Sequence, residues 1–82
     1  MTTQIKPLRI IDLINWGNDH FAQNGIKNSR SEIEWFLCDV LNCKRIDLYI
    51  QFEDLLYGND LTKLRYMVQR RTSGEPFQHI LC

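Results

Sequence analysis

Gln69-Arg70-Arg71-Thr72-Ser73-Gly74-Glu75-Pro76-Phe77-Gln78-His79-Ile80-Leu81 decides how the rest of this 82-residue chain is read. The two arginines close a helical pattern. Gly74 supplies the left-handed residue that commonly ends a helix, and Pro76, two residues on, keeps the helix from resuming. Phe77 to Leu81 then alternates apolar and polar side chains, which predicts extended backbone. A strand must pair its N–H and C=O groups, and no earlier segment looks like its partner. The expectation is a helical domain over residues 1–74. Residues 75–82 are expected to be an extended tail that begins a linker hairpin and whose continuation is missing.

Working back from that stop, a helix from Gly58 or Asn59 to Ser73 places Leu61, Leu64, Met67 and Val68 on one face. Lys63, Arg65, Arg70 and Arg71 fall on its exposed side, and basic groups in the last turn complement the negative end of the helix dipole. Before it, Arg45 to Gln51 reads as a short helix with Ile46, Tyr49 and Ile50 inward. An irregular piece then buries Leu55 or Leu56. The second helix, which ends before the short connection Asn42 to Lys44, opens on two overlapping Ser-x-x-Glu patterns, Ser29 to Glu32 and Ser31 to Glu34, each offering a capping box. Ile33, Phe36, Leu37, Val40 and Leu41 form its apolar stripe, and Glu34, Cys38 and Asp39 face elsewhere. Trp35, off the stripe, is expected to serve a second packing face.

A first helix from Pro7 to Asn24 aligns Ile10, Leu13, Ile14, Gly17 and Phe21. Pro7 suits its first turn. Gly17, costly inside a helix, requires either a close helix neighbour or a bend. Asn24-Gly25 stops it and Ile26 folds back onto the core. The fold class is therefore all-α, a small bundle of four to five helices with an extended C-terminal tail.

Composition supports a folded module: apolar residues make up 44%, and the two Trp, three Tyr and four Phe are ample for a small core. Ten basic and ten acidic side chains cancel, so no long-range field steers the chain onto nucleic acid or an anionic membrane. Cys38, Cys43 and Cys82 are odd in number and lack Cys-x-x-Cys spacing, which argues against a disulfide framework or a zinc site. Arg9 and Asp12 interrupt the apolar run Leu8 to Ile14, so it makes neither a signal sequence nor a membrane span. A reducing, cytoplasmic setting fits.

A search for reaction chemistry finds no constellation. His20 and His79 have no patterned partner, Ser29 and Ser31 are explained by capping, and Cys38 and Cys43 by a small core or its edge. There is no Walker loop, Gly-x-Gly-x-x-Gly or calcium loop. From the residues alone the reading is a helical binding module.

Taken together, the residues resemble the N-terminal domain of the HemK (PrmC) family of protein methyltransferases. Arg30-Ser31-Glu32-Ile33-Glu34-Trp35-Phe36-Leu37-Cys38-Asp39-Val40-Leu41 is similar to that family's Arg-x-Asp-Ala-Glu-Leu-Leu-Leu-x-x-Val-Leu run. Arg45 and Leu48 fall on its Arg-x-x-Leu. Arg70-Arg71-Thr72-Ser73-Gly74-Glu75-Pro76-Phe77-Gln78-His79-Ile80-Leu81 is similar to Arg-Arg-x-x-Gly-Glu-Pro-x-x-Tyr-Ile-Leu-Gly, with Cys82 in place of the final glycine.

The resemblance implies a helical N-terminal domain, a hairpin linker beginning near Phe77, and a Rossmann-like catalytic domain that uses S-adenosylmethionine and lies beyond this chain. It implies as substrate the glutamine of the Gly-Gly-Gln motif in peptide chain release factors. The helical domain, itself non-catalytic, would help dock that partner. Arg70, Arg71, Gly74, Glu75 and Pro76 are the candidate partner-binding or linker residues. The alternative is a free-standing helical protein- or nucleic-acid-interaction module using Lys63, Arg65, Arg70 and Arg71.

Overall fold

A computed structural model of the chain describes residues 8–81. The readings of Met1 to Pro7 and of Cys82 lie outside the described residues. In chain order the elements are β1 (Leu8–Arg9), α1 (Ile10–Gln23), α2 (Ser29–Leu41), α3 (Arg45–Ile50), β2 (Leu55–Leu56), α4 (Gly58–Thr72) and α5 (Phe77–Leu81). The expected all-α bundle is present, joined by one short antiparallel ladder in which Leu8 pairs with Leu56 and Arg9 with Leu55.

The first helix begins at Ile10, because Arg9 is extended and belongs to β1. No side chain caps it. The amides of Ile10 and Ile11 instead donate to the carbonyls of Asp54 and Phe52, at 2.9 and 3.0 Å, so the loop before β2 takes up two of the helix's unpaired donors. Arg9 anchors this corner by pairing with Asp12 and Glu53.

Apolar periodicity placed α1, α2 and α4 correctly. Ile10, Leu13, Ile14, Phe21, Ile33, Phe36, Leu37, Leu61, Leu64, Met67 and Val68 all enter one core. Gly17 is buried where α1 meets α2, and an added Cβ would run into Ile33. A close helix neighbour explains this interior glycine.

Three helices end in the same way. Ile26 N–H donates to Phe21 C=O, Cys43 N–H to Cys38 C=O, and Glu75 N–H to Arg70 C=O, at 3.0, 3.1 and 3.2 Å. Each bond spans five residues across a left-handed residue, Gly25, Asn42 or Gly74. This is the Schellman arrangement, and it turns the chain back so that side chains five apart meet.

Several local expectations are overturned. Neither Ser-x-x-Glu pattern forms a capping box: Asn28 occupies the cap position of α2 without a side-chain bond, and the Ser29 hydroxyl donates to Asn18 Oδ1 on α1 at 2.6 Å. Both glutamates are claimed by arginines instead. Glu34 and Cys38, read as facing away from the stripe, are buried. In α3 the inward residue is Leu48, while Ile46 and Ile50 are 65% and 77% exposed. Tyr49, also expected inward, is 45% exposed and turns its hydroxyl to the Glu34 carboxylate. Trp35 is an exposed face and not a packing one.

The tail differs most. Phe77 to Leu81 is helical, not extended. Its backbone bonds internally, beginning with His79 N–H to Pro76 C=O at 3.1 Å. The Phe77 ring lies 5.2 Å from that of Phe36, which meets Phe21 edge-on at 5.9 Å, and Ile80 enters the core. Burial of these two side chains stabilises the helical turn.

Candidate functional site

Arg70, Arg71, Gly74, Glu75 and Pro76 come together as a clasp at the end of α4. Gly74 has φ +110°, which lets the chain reverse. The reversal brings Glu75 against Arg70, whose Nε and Nη2 reach Oε2 and Oε1 at 2.7 and 2.8 Å. Arg71 turns inward: Nε lies 2.7 Å from Glu32 Oε1 on α2, Nη2 3.3 Å from Oε2, and Nη1 donates to the Glu75 carbonyl at 3.2 Å. Such forked pairings fix orientation as well as supply energy. The guanidinium of Arg70 holds the Glu75 carboxyl below its ordinary pKa. Hydrogen bonding to Glu32 raises the pKa of Arg71. Arg70 also lies 5.6 Å from the Tyr66 ring centroid. The two arginines are therefore occupied within the molecule, and Pro76 stays exposed.

A second feature, missed in the sequence, is the junction of α2 and α3. The fully buried Glu34 carboxylate accepts from Arg45 Nη2 and Nε at 2.6 and 3.1 Å and from the Tyr49 hydroxyl at 3.0 Å. Arg30, one turn earlier on α2, closes its other oxygen at 3.0 Å. Arg45 lies 5.6 Å from the Trp35 ring centroid, which joins the ion cluster to an exposed aromatic face. The spacing of Arg30 and Glu34 at i, i+4 was the available signal.

A third feature is an open groove of about 470 Å³ between α1 and α4, lined by Trp16, His20, Arg65, Tyr66 and Gln69 among others. Trp16 and His20 stack within it at 5.5 Å and 8°. Trp16 and Tyr66, both exposed, line the groove together with Arg65. His79, the other histidine, is exposed on α5. Among the described residues no three His, Cys, Asp or Glu side chains gather where they could hold a metal ion. Likewise, no helix of the described residues is long and apolar enough to cross a membrane.

Comparison with known proteins matches residues 12–81 to the PrmC N-terminal domain. A release factor glutamine methyltransferase of Geobacter sulfurreducens is 35% identical over 81 residues, 99% of this chain and 28% of the relative. One of Rhodopirellula baltica is 28% identical over 98% of this chain and 27% of its own length. A third, of Leptospira interrogans, is 28% identical over 90% of the chain and 26% of the relative. The chain thus spans about a quarter of the length of these relatives. No solved structure matches. The match takes in every helix from α2 to α5 and nearly all of α1, including the clasp, and the chain belongs to the PrmC N-terminal domain family.

Proposed function

We propose that this chain is the substrate-docking N-terminal domain of an S-adenosylmethionine-dependent protein methyltransferase, which modifies the glutamine of the Gly-Gly-Gln motif of peptide chain release factors. The observation that carries this reading is the 35% identity over almost the whole chain to a release factor glutamine methyltransferase. The reaction belongs to a catalytic domain outside these residues, in a cytoplasmic protein. Residues 1–74 serve docking, and residues 75–82 begin the join, which starts as the packed turn α5.

The residues present do not suit the cofactor. The α1–α4 groove offers no carboxylate for ribose hydroxyls, and no glycine-rich turn links a strand to a helix among the described residues. What the domain supplies is binding energy away from the reacting atoms, which orients one glutamine among the many that proteins expose. In this reading the clasp of Arg70, Arg71, Gly74 and Glu75 sets the direction of the join and does not itself grip the partner. The alternative nucleic-acid module drew on four cations, two of which are paired with Glu75 and Glu32.

Calorimetry and NMR titration of the isotope-labelled chain test the proposal. The expected result is no heat with S-adenosylmethionine, and weak but localised shift changes with an intact release factor. Tight cofactor binding, or an unchanged spectrum with excess release factor, overturns it.

A further inference from the structure

The C-terminal cap of α2 carries a cysteine at each end of its closing backbone bond. The Cys43 amide donates to the Cys38 carbonyl at 3.1 Å, with Asn42 left-handed at φ 54° between them. The same backbone arrangement recurs twice in this molecule and each time juxtaposes side chains five apart. At Arg70 and Glu75 it produces a forked ion pair, and at Phe21 and Ile26 both side chains pack in the core. At α2 the corresponding pair is Cys38 and Cys43. Both line an open hollow of about 330 Å³ with Trp35, Asp39, Asn42 and Leu81, so a small reagent can reach them. Cys38 is nearly enclosed and Cys43 is half-buried.

We propose that Cys38 and Cys43 are a redox-active dithiol that closes to an intramolecular disulfide across the α2 cap, with a small-molecule disulfide as oxidant. The Cys43 thiolate attacks one sulfur of the oxidant, forming a mixed disulfide and releasing one thiolate. The Cys38 thiolate then attacks the Cys43 sulfur, forming the protein disulfide and releasing the second. The two thiol protons pass to the two released thiolates. The protein loses two electrons and the oxidant gains two.

Helix geometry holds the pair together before reaction, which raises the effective concentration of one thiol at the other. Burial opposes the rate. It pushes the Cys38 thiol up to about 11 and raises Cys43 as well, with Glu34 and Asp47 adding to the two shifts and Arg45 alone among nearby charges easing that of Cys38. The pair is thus a slow responder whose closed state is favoured by position rather than by thiolate reactivity.

The test uses the 82-residue chain carrying Cys82→Ser, equilibrated at mildly alkaline pH in glutathione redox buffers, acid-quenched and weighed by mass spectrometry. The expected product has lost two hydrogens and carries no glutathione. Half-closure should need roughly tenfold less oxidising buffer in the folded chain than in the same chain in guanidinium. Asn42→Gly, which keeps the left-handed residue, should close at the same ratio as its parent. A stable glutathione adduct on Cys43, equal ratios in folded and unfolded chains, or failure of the Asn42→Gly variant to close would each overturn the proposal.

Discussion

Gly17 and Ile33 hold α1 and α2 closer than any side chain at position 17 would allow. A Cβ there would lie 2.5 Å from Ile33 Cδ1 and 2.9 Å from Ile33 Cβ. The Cδ1 methyl could rotate away, but Cβ cannot, so the helices must part. Gly17→Ala gains about 1 kcal/mol of helix propensity and loses more to overpacking, for a net cost of about 2 kcal/mol. Urea unfolding of Gly17→Ala and of Gly17→Ala with Ile33→Ala measures it, and the second substitution should cost less in that background than in the parent. An alanine variant more stable than the parent would refute the close contact.

Glu34→Gln keeps the size of the buried side chain and removes its charge. Arg30 and Arg45 are each partly exposed and can regain water, so the loss falls short of that of a fully enclosed pair. The expected cost is about 2 kcal/mol, read as a lowered urea midpoint at unchanged slope. Tyr49→Phe should cost less, because the carboxylate keeps its arginines. Equal stability of Glu34→Gln and the parent would show that the cluster contributes nothing.

Ile80→Ala distinguishes the seated helix from a loose tail. Ile80 is 7% exposed. Its truncation should destabilise the bundle by about 2 kcal/mol, and Phe77→Ala should also destabilise it by removing the ring stacked on Phe36. A frayed segment would give no change in thermal unfolding for either variant.

The surface carboxyls of Glu75 and Asp12 titrate low because Arg70 and Arg9 hydrogen-bond them in the folded state. A folded pKa below the unfolded one contributes stability that is complete above about pH 5 and is lost as pH falls through the folded value. Both groups are exposed, so the effect is small and fades with salt. Carboxyl NMR titration should place both midpoints below the ordinary values, and Arg70→Gln should return Glu75 alone toward its own. A Glu75 midpoint unmoved by Arg70→Gln would remove the stated cause.

How much was legible in advance depended on the reach of each interaction. The long helices α1, α2 and α4 were readable because thirteen to fifteen residues repeat the apolar period several times. Phe77 to Leu81 was not. Five alternating residues fit a strand or one helical turn equally, and the deciding contact is a ring on α2. The serine-glutamate patterns failed for a related reason: local capping competed with Arg71 and Arg45, far away in sequence, and lost. The clasp residues stand out in the sequence, but their pairing does not, because residues five apart are not neighbours on a helix. Only the reversal at Gly74 joins Arg70 to Glu75. The thiol pair at the end of α2 was hidden in the same manner.

The two-residue ladder between β1 and β2 has a consequence for the order in which the molecule assembles. Leu8 and Leu56 are separated by α1, α2 and α3, whereas most other contacts join helices adjacent in sequence. Closing so long a loop for a few backbone bonds is entropically unrewarding until the intervening helices are packed. The ladder should therefore form last and open first. Native-state amide exchange would show it as faster exchange at Ile10 and Ile11, whose amides bond the same loop, than in the middle of α2. On this expectation the helices form the stable nucleus, and the short strand at Leu8 and Arg9 is a latch that closes after them.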